Sequence, residues 1–232
     1  MVWRILCDFD GTISLQDTTD QLLERFAEPA WQEIEAQWVA GQISSAECMR
    51  RQVELLRVDK ATLDKWIKSV EIDARFVEFV RFCERQKVDI RITSDGIDYV
   101  IKNTLARHGL GHLHVTANHL VFLKNGHYTL TPYDTIKACS RSGGVCKCGL
   151  SVMERAKKEH ILYIGDGRSD FCVSQNAELV LAKSKLLTFC QQHDLPHVAF
   201  QDFGDVKATL HKLITPEHTF QQPTLQHALV IA

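Results

Sequence analysis

Short apolar runs recur along the chain, and longer stretches with apolar residues at helical spacing separate them. The runs lie at 2–7, 88–96, 161–165, 179–182 and 197–200. Runs of this length that end in turn-forming residues are typical of buried strands. Because strands that alternate with helices generally form a parallel sheet, the pattern predicts an α/β fold with a mostly parallel sheet.

A long helical segment separates the first two predicted strands. Apolar residues recur near helical spacing over 18–57, with a break at Pro29. Ser44 followed by Glu47 is typical of a helix start, and two further helices are predicted within 61–86. An ordinary βα connection is about 2–6 residues long. The pattern therefore predicts a helical insertion after the first strand.

The rest of the chain continues the alternation of strands and helices. Helices are predicted over 97–108 and 150–158, and two β-favouring runs between them flank Lys124-Asn125-Gly126. Asn-Gly between such runs predicts a β-hairpin. The residues from about Thr215 onward lack periodicity, so we expect a loosely ordered tail over 215–232.

Composition and charge restrict the possible partners. The chain has 232 residues, of which 45% are hydrophobic and 24% charged, and its formal net charge is −2. This balance gives no electrostatic attraction to nucleic acid or to an anionic membrane. No apolar run approaches the roughly 20 residues that span a bilayer, and we expect no signal peptide. We therefore expect a cytoplasmic protein with reduced cysteines, and both a monomer and a homodimer are open.

Two carboxylates follow the first predicted strand. Asp8 and Asp10 lie in the segment Asp-Phe-Asp-Gly-Thr, and residues two apart in an extended chain share a face. Like charges this close repel each other, so we expect a proton or a divalent cation such as Mg²⁺ to compensate them. A solvated acidic turn is the alternative interpretation.

The next two strands end in similar residues. Ser94-Asp95-Gly96 ends the second strand, and Gly165-Asp166-Gly167-Arg168-Ser169-Asp170 ends the third. In open α/β sheets, ligands bind outside the carboxyl ends of the strands. The sequence therefore predicts that these three segments form one site.

The residues of these three segments, together with a lysine before the third strand, resemble the haloacid dehalogenase superfamily of aspartate-nucleophile phosphatases. The resemblance covers most of the chain and is closest to the phosphoserine-phosphatase-like branch. It implies a doubly wound, mostly parallel sheet in a Rossmann-like three-layer core with an inserted small α-helical cap. The implied core is 1–14 and 77–214, the cap is 15–76, and the tail is 215–232.

The resemblance also implies the roles of the acids. Asp8 would be the nucleophile and form an aspartyl-phosphate, and Asp10 would protonate the leaving oxygen and later activate water. The Asp8 carboxylate, the main-chain carbonyl of Asp10 and the Asp166 carboxylate would hold Mg²⁺. Asp170 would orient these groups from outside the coordination sphere. Alternatively, Asp170 is an acid at a helix N-terminus.

The phosphate group would be bound by neutral donors and a lysine. Ser94 would donate to a phosphate oxygen, aided by main-chain amides near Asp95 and Gly96. The same three residues could also start a helix. The resemblance places the lysine at Lys147, and Lys137 is the alternative.

The expected substrate is a small phosphorylated metabolite. The order of preference is a phosphorylated methylthiopentenyl enol, then phosphoserine, then a phospho-alcohol such as phosphocholine. Asp17 lies where the phosphoserine-phosphatase branch often has an acid facing the substrate. It could bind a hydroxyl or an amine, or it could cap the first inserted helix. A phosphotransferase that uses the same intermediate is an alternative function.

Three cysteines, Cys139, Cys146 and Cys148, surround the candidate lysine. With a histidine from the predicted hairpin, His119 or His127, they could complete a zinc site. Such a site would fit a non-catalytic, metal-sensing protein. A loop of reduced thiols is the alternative, and disulfide formation under oxidation is a third.

Overall fold

The computed structural model describes residues 2–124, 126–133, 145–155 and 160–215, and for 153–155 it describes the backbone alone. Within this part, strands form one sheet in the order β4-β3-β2-β1-β5-β6-β7. The strands are β1 (Trp3–Cys7), β2 (Asp89–Ile97), β3 (His114–Phe122), β4 (Tyr128–Thr131), β5 (His160–Gly165), β6 (Leu179–Ala182) and β7 (His197–Ala199). The β3–β4 pair is antiparallel and the other pairs are parallel, so the predicted mostly parallel sheet is confirmed.

Helices flank the sheet and fill the long connection between β1 and β2. Those of the described residues are α1 (Thr18–Phe26), α2 (Trp31–Val39), α3 (Ser45–Glu54), α4 (Lys60–Ile67), α5 (Phe76–Gln86), α6 (Asp98–Arg107), α7 (Lys147–Arg155), α8 (Phe171–Ser174), α9 (Ser184–Gln192) and α10 (Phe203–Ile214). No helix in this part of the chain is both long enough and apolar enough to cross a membrane.

The two faces of the sheet carry separate hydrophobic clusters. Side chains alternate along β1, so Ile5 and Cys7 lie in the cluster formed with α5, α6 and α10. Leu6 points the other way and lies in the cluster formed with α8 and α9. Ile5, Leu6 and Cys7 are all buried, as expected for a strand covered on both faces. The three-layer core is confirmed.

The inserted helices pack on the hairpin as well as on each other. Leu22 and Trp66 of the insertion share a cluster with Val100 of α6 and Tyr128 of β4. The Tyr128 hydroxyl donates to the Val58 carbonyl at 2.8 Å. This contact ties the insertion to the edge of the sheet.

The segments that lead into and out of the insertion run side by side. The Leu15 amide donates to the Glu71 carbonyl at 3.1 Å, and the Asp73 amide donates to the Ile13 carbonyl at 2.8 Å. We retain the division into a core (1–14 and 77–214) and a cap (15–76) as a prediction. The predicted tail lies outside the described residues, apart from Thr215.

Two local predictions were wrong. Ser94-Asp95-Gly96 do not start a helix, because β2 continues through them and α6 begins only after Ile97. The pairing of β2 with β3 shifts register between Thr93 and Ile97, so this stretch is irregular strand rather than turn. The helix predicted from residue 150 begins earlier, at Lys147, because the Leu150 amide already donates to the Cys146 carbonyl.

Candidate active site

Asp8 directly follows β1, and only 4% of this residue is exposed. Its amide donates to the Ile164 carbonyl at 2.9 Å, so the pairing with β5 fixes its position. The chain then turns at Gly11, which has a φ of +67°. A Cβ atom on Gly11 would lie 2.6 Å from Asp166 Oδ2, so only glycine allows the two segments to approach this closely.

Lys147 is a buried cation whose side chain is 2% exposed. Its Nζ lies 3.0 Å from Asp8 Oδ1 and 2.7 Å from Asp170 Oδ1, and it donates to Ser169 Oγ at 3.1 Å. Burial alone lowers the pKa of Lys147, but the negative charges of Asp170, Asp8 and Asp95 outweigh it and raise the pKa above its usual value. The ammonium group therefore stays charged beside Asp8.

Asp170 connects the lysine to the loop that follows β5. Its Oδ1 accepts hydrogen bonds from Lys147 and from the Tyr163 hydroxyl, the latter at 2.5 Å. Its Oδ2 accepts from the amides of Asp166 at 3.1 Å and Gly167 at 3.0 Å. Asp170 also precedes α8, but it makes no side-chain capping bond to that helix. Its position at the start of a helix fits the alternative interpretation, and its contacts with Lys147 and Tyr163 are compatible with an orienting role as well.

Asp10 is held by donors on both carboxylate oxygens. Its Oδ1 accepts from the Thr18 amide at 2.8 Å and the Thr18 hydroxyl at 2.5 Å, and its Oδ2 accepts from Ser94 Oγ at 3.3 Å. Burial, and then the charge of Asp17, raise the pKa of Asp10 to about 7 against the effect of the Thr18 bonds. A carboxyl group with such a pKa can both give and take a proton near neutral pH.

The irregular end of β2 brings Ser94 beside Asp10. The Gly96 amide donates to Ser94 Oγ at 3.0 Å, which directs the hydroxyl toward the acids. A Cβ atom on Gly96 would collide with the Asp10 carboxylate. The glycine therefore permits the end of β2 to lie this close to Asp10.

Asp95 has a role that the sequence did not indicate. Its Oδ1 accepts from the Val145 amide at 3.0 Å, two residues before Lys147. Burial raises the pKa of Asp95 to about 6, although Lys147 acts in the opposite direction. Through this bond the end of β2 holds the start of α7, and with it the lysine.

The acids form a group suited to a divalent cation. Asp8, Asp166 and Asp170 can each offer a carboxylate oxygen, and these atoms lie within 4.8 Å of one another. Thr12 Oγ1 donates to Asp166 Oδ1 at 2.9 Å and orients that side chain. Burial raises the pKa of Asp8 well above its usual value, even though Lys147 lowers it, and burial also raises that of Asp166. Oxygen donors with this excess of buried negative charge fit an ion of the Mg²⁺ type.

A cavity of about 520 Å³ opens beside these acids. Its lining includes Asp8, Asp10, Asp166 and Ser94. Residues of the insertion also line it, among them Leu15, Asp17, Asp20, Glu35, Trp38 and Met49. Its size suits a small metabolite, since ligand pockets commonly span about 300–1,000 Å³.

Asp17 caps α1 and also lines this cavity. Its Oδ1 accepts from the amides of Thr19 at 2.9 Å and Asp20 at 3.0 Å, which is the predicted capping alternative. Burial raises the pKa of Asp17, and burial followed by the charge of Asp17 raises that of Asp20 to about 6. The insertion therefore gives the cavity an acidic wall, and capping and substrate contact are compatible for Asp17.

The alternative lysine and one cysteine of the proposed zinc site lie outside the described residues, namely Lys137 and Cys139. The histidines considered for that site contact other side chains: His119 Nδ1 lies 3.0 Å from Asp98 Oδ2, and His127 Nδ1 lies 3.3 Å from Arg57 Nη1. Among the described residues, the candidate metal group consists of aspartates and includes no cysteine.

Three positioning residues were missed at the sequence level. Thr12 and Thr18 hold Asp166 and Asp10, and Tyr163 holds Asp170. Thr12 adjoins the Asp-x-Asp segment and could have been included on that ground. Tyr163 lies within an apolar run that predicts a buried strand, and no local pattern distinguishes it from the residues beside it.

Comparisons with known proteins agree with the geometry. The model of a family described as Putative Phosphatase matches residues 4–196. A 2-hydroxy-3-keto-5-methylthiopentenyl-1-phosphate phosphatase from Geobacillus thermodenitrificans is 30% identical over 213 residues, covering 90% of this chain and 96% of the relative. A protein of the same name from Exiguobacterium sp. is 27% identical over 210 residues, covering 90% and 97%.

The fold is also similar to solved structures. A phospho-aspartyl intermediate analogue of phosphoserine phosphatase superposes with a TM-score of 0.65 and 19% identity, covering 90% of this chain and 98% of that one. A substrate-bound phosphoserine phosphatase complex gives a TM-score of 0.64 at the same identity. At this level of identity the likeness shows a shared fold.

Proposed function

Because this chain belongs to the Putative Phosphatase family, we propose that it hydrolyses a small phosphorylated metabolite through an aspartyl-phosphate intermediate on Asp8. It is a phosphoric monoester hydrolase of the haloacid dehalogenase type. The observation that supports the intermediate most strongly is the placement of the Asp8 carboxylate. It lies 3.0 Å from Lys147 at the edge of a cavity that also contains Asp10.

A phosphate monoester resists attack because its negative oxygens repel nucleophiles, so catalysis depends on positioning and charge stabilisation. An Asp8 oxygen attacks phosphorus while the bond to the leaving oxygen breaks, and Asp10 gives its proton to that oxygen. Asp10 then takes a proton from the water that attacks the aspartyl-phosphate, which releases inorganic phosphate and restores Asp8. Lys147 and Ser94 stabilise the phosphoryl oxygens during both steps.

Mg²⁺ is the proposed cofactor. The Asp8 carboxylate, the Asp10 main-chain carbonyl and the Asp166 carboxylate would hold it, and Asp170 would keep the loop of Asp166 in place. When bound, the ion would neutralise phosphoryl charge and reduce the repulsion among the buried acids. Thr12 supports this assignment, because its hydrogen bond to Asp166 Oδ1 fixes the orientation of that carboxylate.

The names of the relatives supply the first candidate substrate, 2-hydroxy-3-keto-5-methylthiopentenyl-1-phosphate. The lining of the cavity supports it, because Leu15, Trp38 and Met49 provide apolar contacts for a methylthio group. The insertion lines the same cavity as the acids and would shield a bound substrate from bulk water.

The proposal is tested by measuring phosphate release from a panel of phosphorylated metabolites with and without Mg²⁺. We expect turnover that depends on Mg²⁺ and is abolished by Asp8→Asn, because the amide cannot act as the nucleophile. Asp194→Asn, on an exposed loop, is the matched control and should behave like the wild type. Circular dichroism should show the same fold for all three proteins. Full turnover by Asp8→Asn would contradict the assignment of the nucleophile.

A second candidate is a phosphate ester of an amino alcohol, as in phosphocholine or phosphoserine. The acidic wall formed by Asp17, Asp20 and Glu35 favours it, because a cationic group opposite the phosphate would complement those charges. Gln52 Nε2 donates to Glu35 Oε2 at 2.9 Å and holds that carboxylate at the cavity. Glu35→Gln should lower kcat/KM for an amino-alcohol phosphate and leave that for the methylthiopentenyl ester unchanged. An equal change for both esters would exclude this candidate.

A further inference from the structure

Cys146 and Cys148 lie on either side of Lys147 and contact each other through their sulfur atoms, which are 3.3 Å apart. Side chains two apart within a helix do not face each other. Here they meet because Cys146 precedes α7 and caps it, with its carbonyl accepting the Leu150 amide at 3.1 Å. Both residues are half-buried, so a small oxidant can reach them.

From this contact we propose that Cys146 and Cys148 form a site of reversible oxidation that controls the position of Lys147. The co-reactant is a peroxide such as hydrogen peroxide. The modified form is a disulfide between the two cysteines. Formation of this disulfide does not depend on the proposed function, whereas its effect on turnover rests on that function.

The reaction takes two electrons from the two sulfurs. The thiolate of one cysteine attacks a peroxide oxygen, the O–O bond breaks, and a sulfenic acid and one water result. The second thiol attacks the sulfenic sulfur, the S–O bond breaks, the S–S bond forms, and a second water leaves. Both thiol protons end in water, and the peroxide is reduced. The Gly149 amide, at 3.3 Å from Cys146 Sγ, donates to that sulfur at the start of a helix, where reactive thiolates are commonly found.

The disulfide would act on Lys147 through the backbone. An S–S bond is about 2.05 Å long, so the sulfurs must approach each other by about 1.2 Å from their present separation. The ring that closes contains the whole backbone of Lys147. Cys148 is also packed against the cluster that contains Tyr163, so its movement shifts the first turn of α7.

The position of Lys147 tolerates little movement. Its Nζ is held between Asp8 Oδ1 and Asp170 Oδ1 at 3.0 and 2.7 Å. A shift of the first turn of α7 would disturb both contacts. The oxidised protein would then lack the fixed cation beside the nucleophile, and a thiol reductant would restore it.

The experiment treats the full chain with hydrogen peroxide, measures turnover of a phosphate ester, and then adds dithiothreitol. In parallel, the remaining thiols are alkylated and the peptides that contain Cys139, Cys146 and Cys148 are mapped by mass. We expect a Cys146–Cys148 bond, at least about a tenfold loss of turnover on oxidation, and recovery with dithiothreitol.

Cys146→Ser tests the site directly. Serine is a favoured helix cap and can accept the same Gly149 hydrogen bond, so basal turnover should not change while the reversible loss disappears. Cys172→Ser, at another half-buried cysteine, is the matched control and should lose activity as the wild type does.

Three results would overturn the proposal: a bond that involves Cys139 instead, a Cys146–Cys148 bond with unchanged turnover, or a Cys146→Ser variant that is inactivated reversibly. If the reduced wild type turns over no ester in any panel, the proposed function fails. Peptide masses still decide whether the disulfide forms.

Discussion

Lys147 Nζ lies 3.0 Å from Asp8 Oδ1, with both side chains almost fully buried. The pair joins the first strand of the sheet to the start of α7, two segments far apart in the sequence. Asp170 holds the same ammonium group at 2.7 Å, so the lysine bridges two acids with different proposed roles. Substituting one of these side chains at a time therefore tests the role proposed for it.

Lys147→Met removes the charge and keeps most of the side-chain volume. We expect kcat/KM to fall by about 10²–10³-fold, because a preorganised cation no longer stabilises the phosphoryl oxygens. Steady-state kinetics with the best ester of the panel measures the effect. Lys207→Ala, which breaks only an exposed ion pair with Glu78, is the control and should change nothing. Equal kinetics for wild type and Lys147→Met would contradict the role of the lysine.

Asp166→Asn tests the metal site. The amide is a weaker ligand than the carboxylate but can still accept the Thr12 hydrogen bond, so the loop should stay in place. We expect chelation to abolish turnover of the wild type, and Mg²⁺ to restore it. The variant should need at least about tenfold more Mg²⁺ for half-maximal rate. Undiminished turnover in the presence of a chelator would contradict the proposed cofactor.

Substitutions of Asp95 test whether its hydrogen bond to the Val145 amide positions Lys147. Asp95→Ala removes the acceptor for the Val145 amide, so we expect kcat/KM to fall by about 10- to 100-fold as Lys147 loses its alignment. Asp95→Asn keeps an oxygen acceptor at the same place and should retain most of the activity. If both variants lose activity equally, the negative charge of Asp95 matters and its hydrogen bond does not explain the effect.

The contacts of Asp98 predict how the free energy of unfolding depends on pH. Burial raises the pKa of this carboxyl, but hydrogen bonds from His119, the Leu120 amide and Lys102 outweigh it and hold the pKa below its usual value. A lowered pKa means that the folded state favours the carboxylate. The resulting stabilisation is complete above about pH 4, the unfolded pKa, and is lost as the pH falls through the lower folded pKa.

Asp98→Asn should therefore lower the free energy of unfolding by about 1–2 kcal/mol at pH 7. The difference from the wild type should shrink below about pH 4. Denaturant titrations at several pH values measure it, with Asp194→Asn as an exposed control. A difference that stays constant down to pH values well below the unfolded pKa would contradict this account.

Much of the fold followed from local patterns. Each predicted strand of the parallel sheet is present, because a short apolar run between turn residues has few other ways to be buried. The break at Pro29 separates α1 from α2, and Ser44 caps α3 by accepting the Glu47 amide at 3.2 Å. These features depend on residues a few positions apart, which the sequence displays directly.

Fewer details of the candidate site could be predicted. The sequence showed that acids and a hydroxyl follow the predicted strands. Because the carboxyl ends of parallel strands meet at one edge of the sheet, it predicted that these groups lie together. The sequence did not indicate which residue each of these side chains contacts. For Asp95 the sequence suggested only main-chain amides near the phosphate, and the contact of its carboxylate with the Val145 amide became apparent in the structure.

The sequence by itself determined most of the elements, the mostly parallel character of the sheet and the end at which Asp8, Asp10 and Asp166 gather, because periodicity and turn residues act locally. Only the tertiary structure decided that Lys147 contacts both Asp8 and Asp170, that Tyr163 supports Asp170, and that the insertion packs on the hairpin. Those contacts join segments from distant parts of the chain. Their geometry depends on how whole layers pack, which no local pattern of residues records.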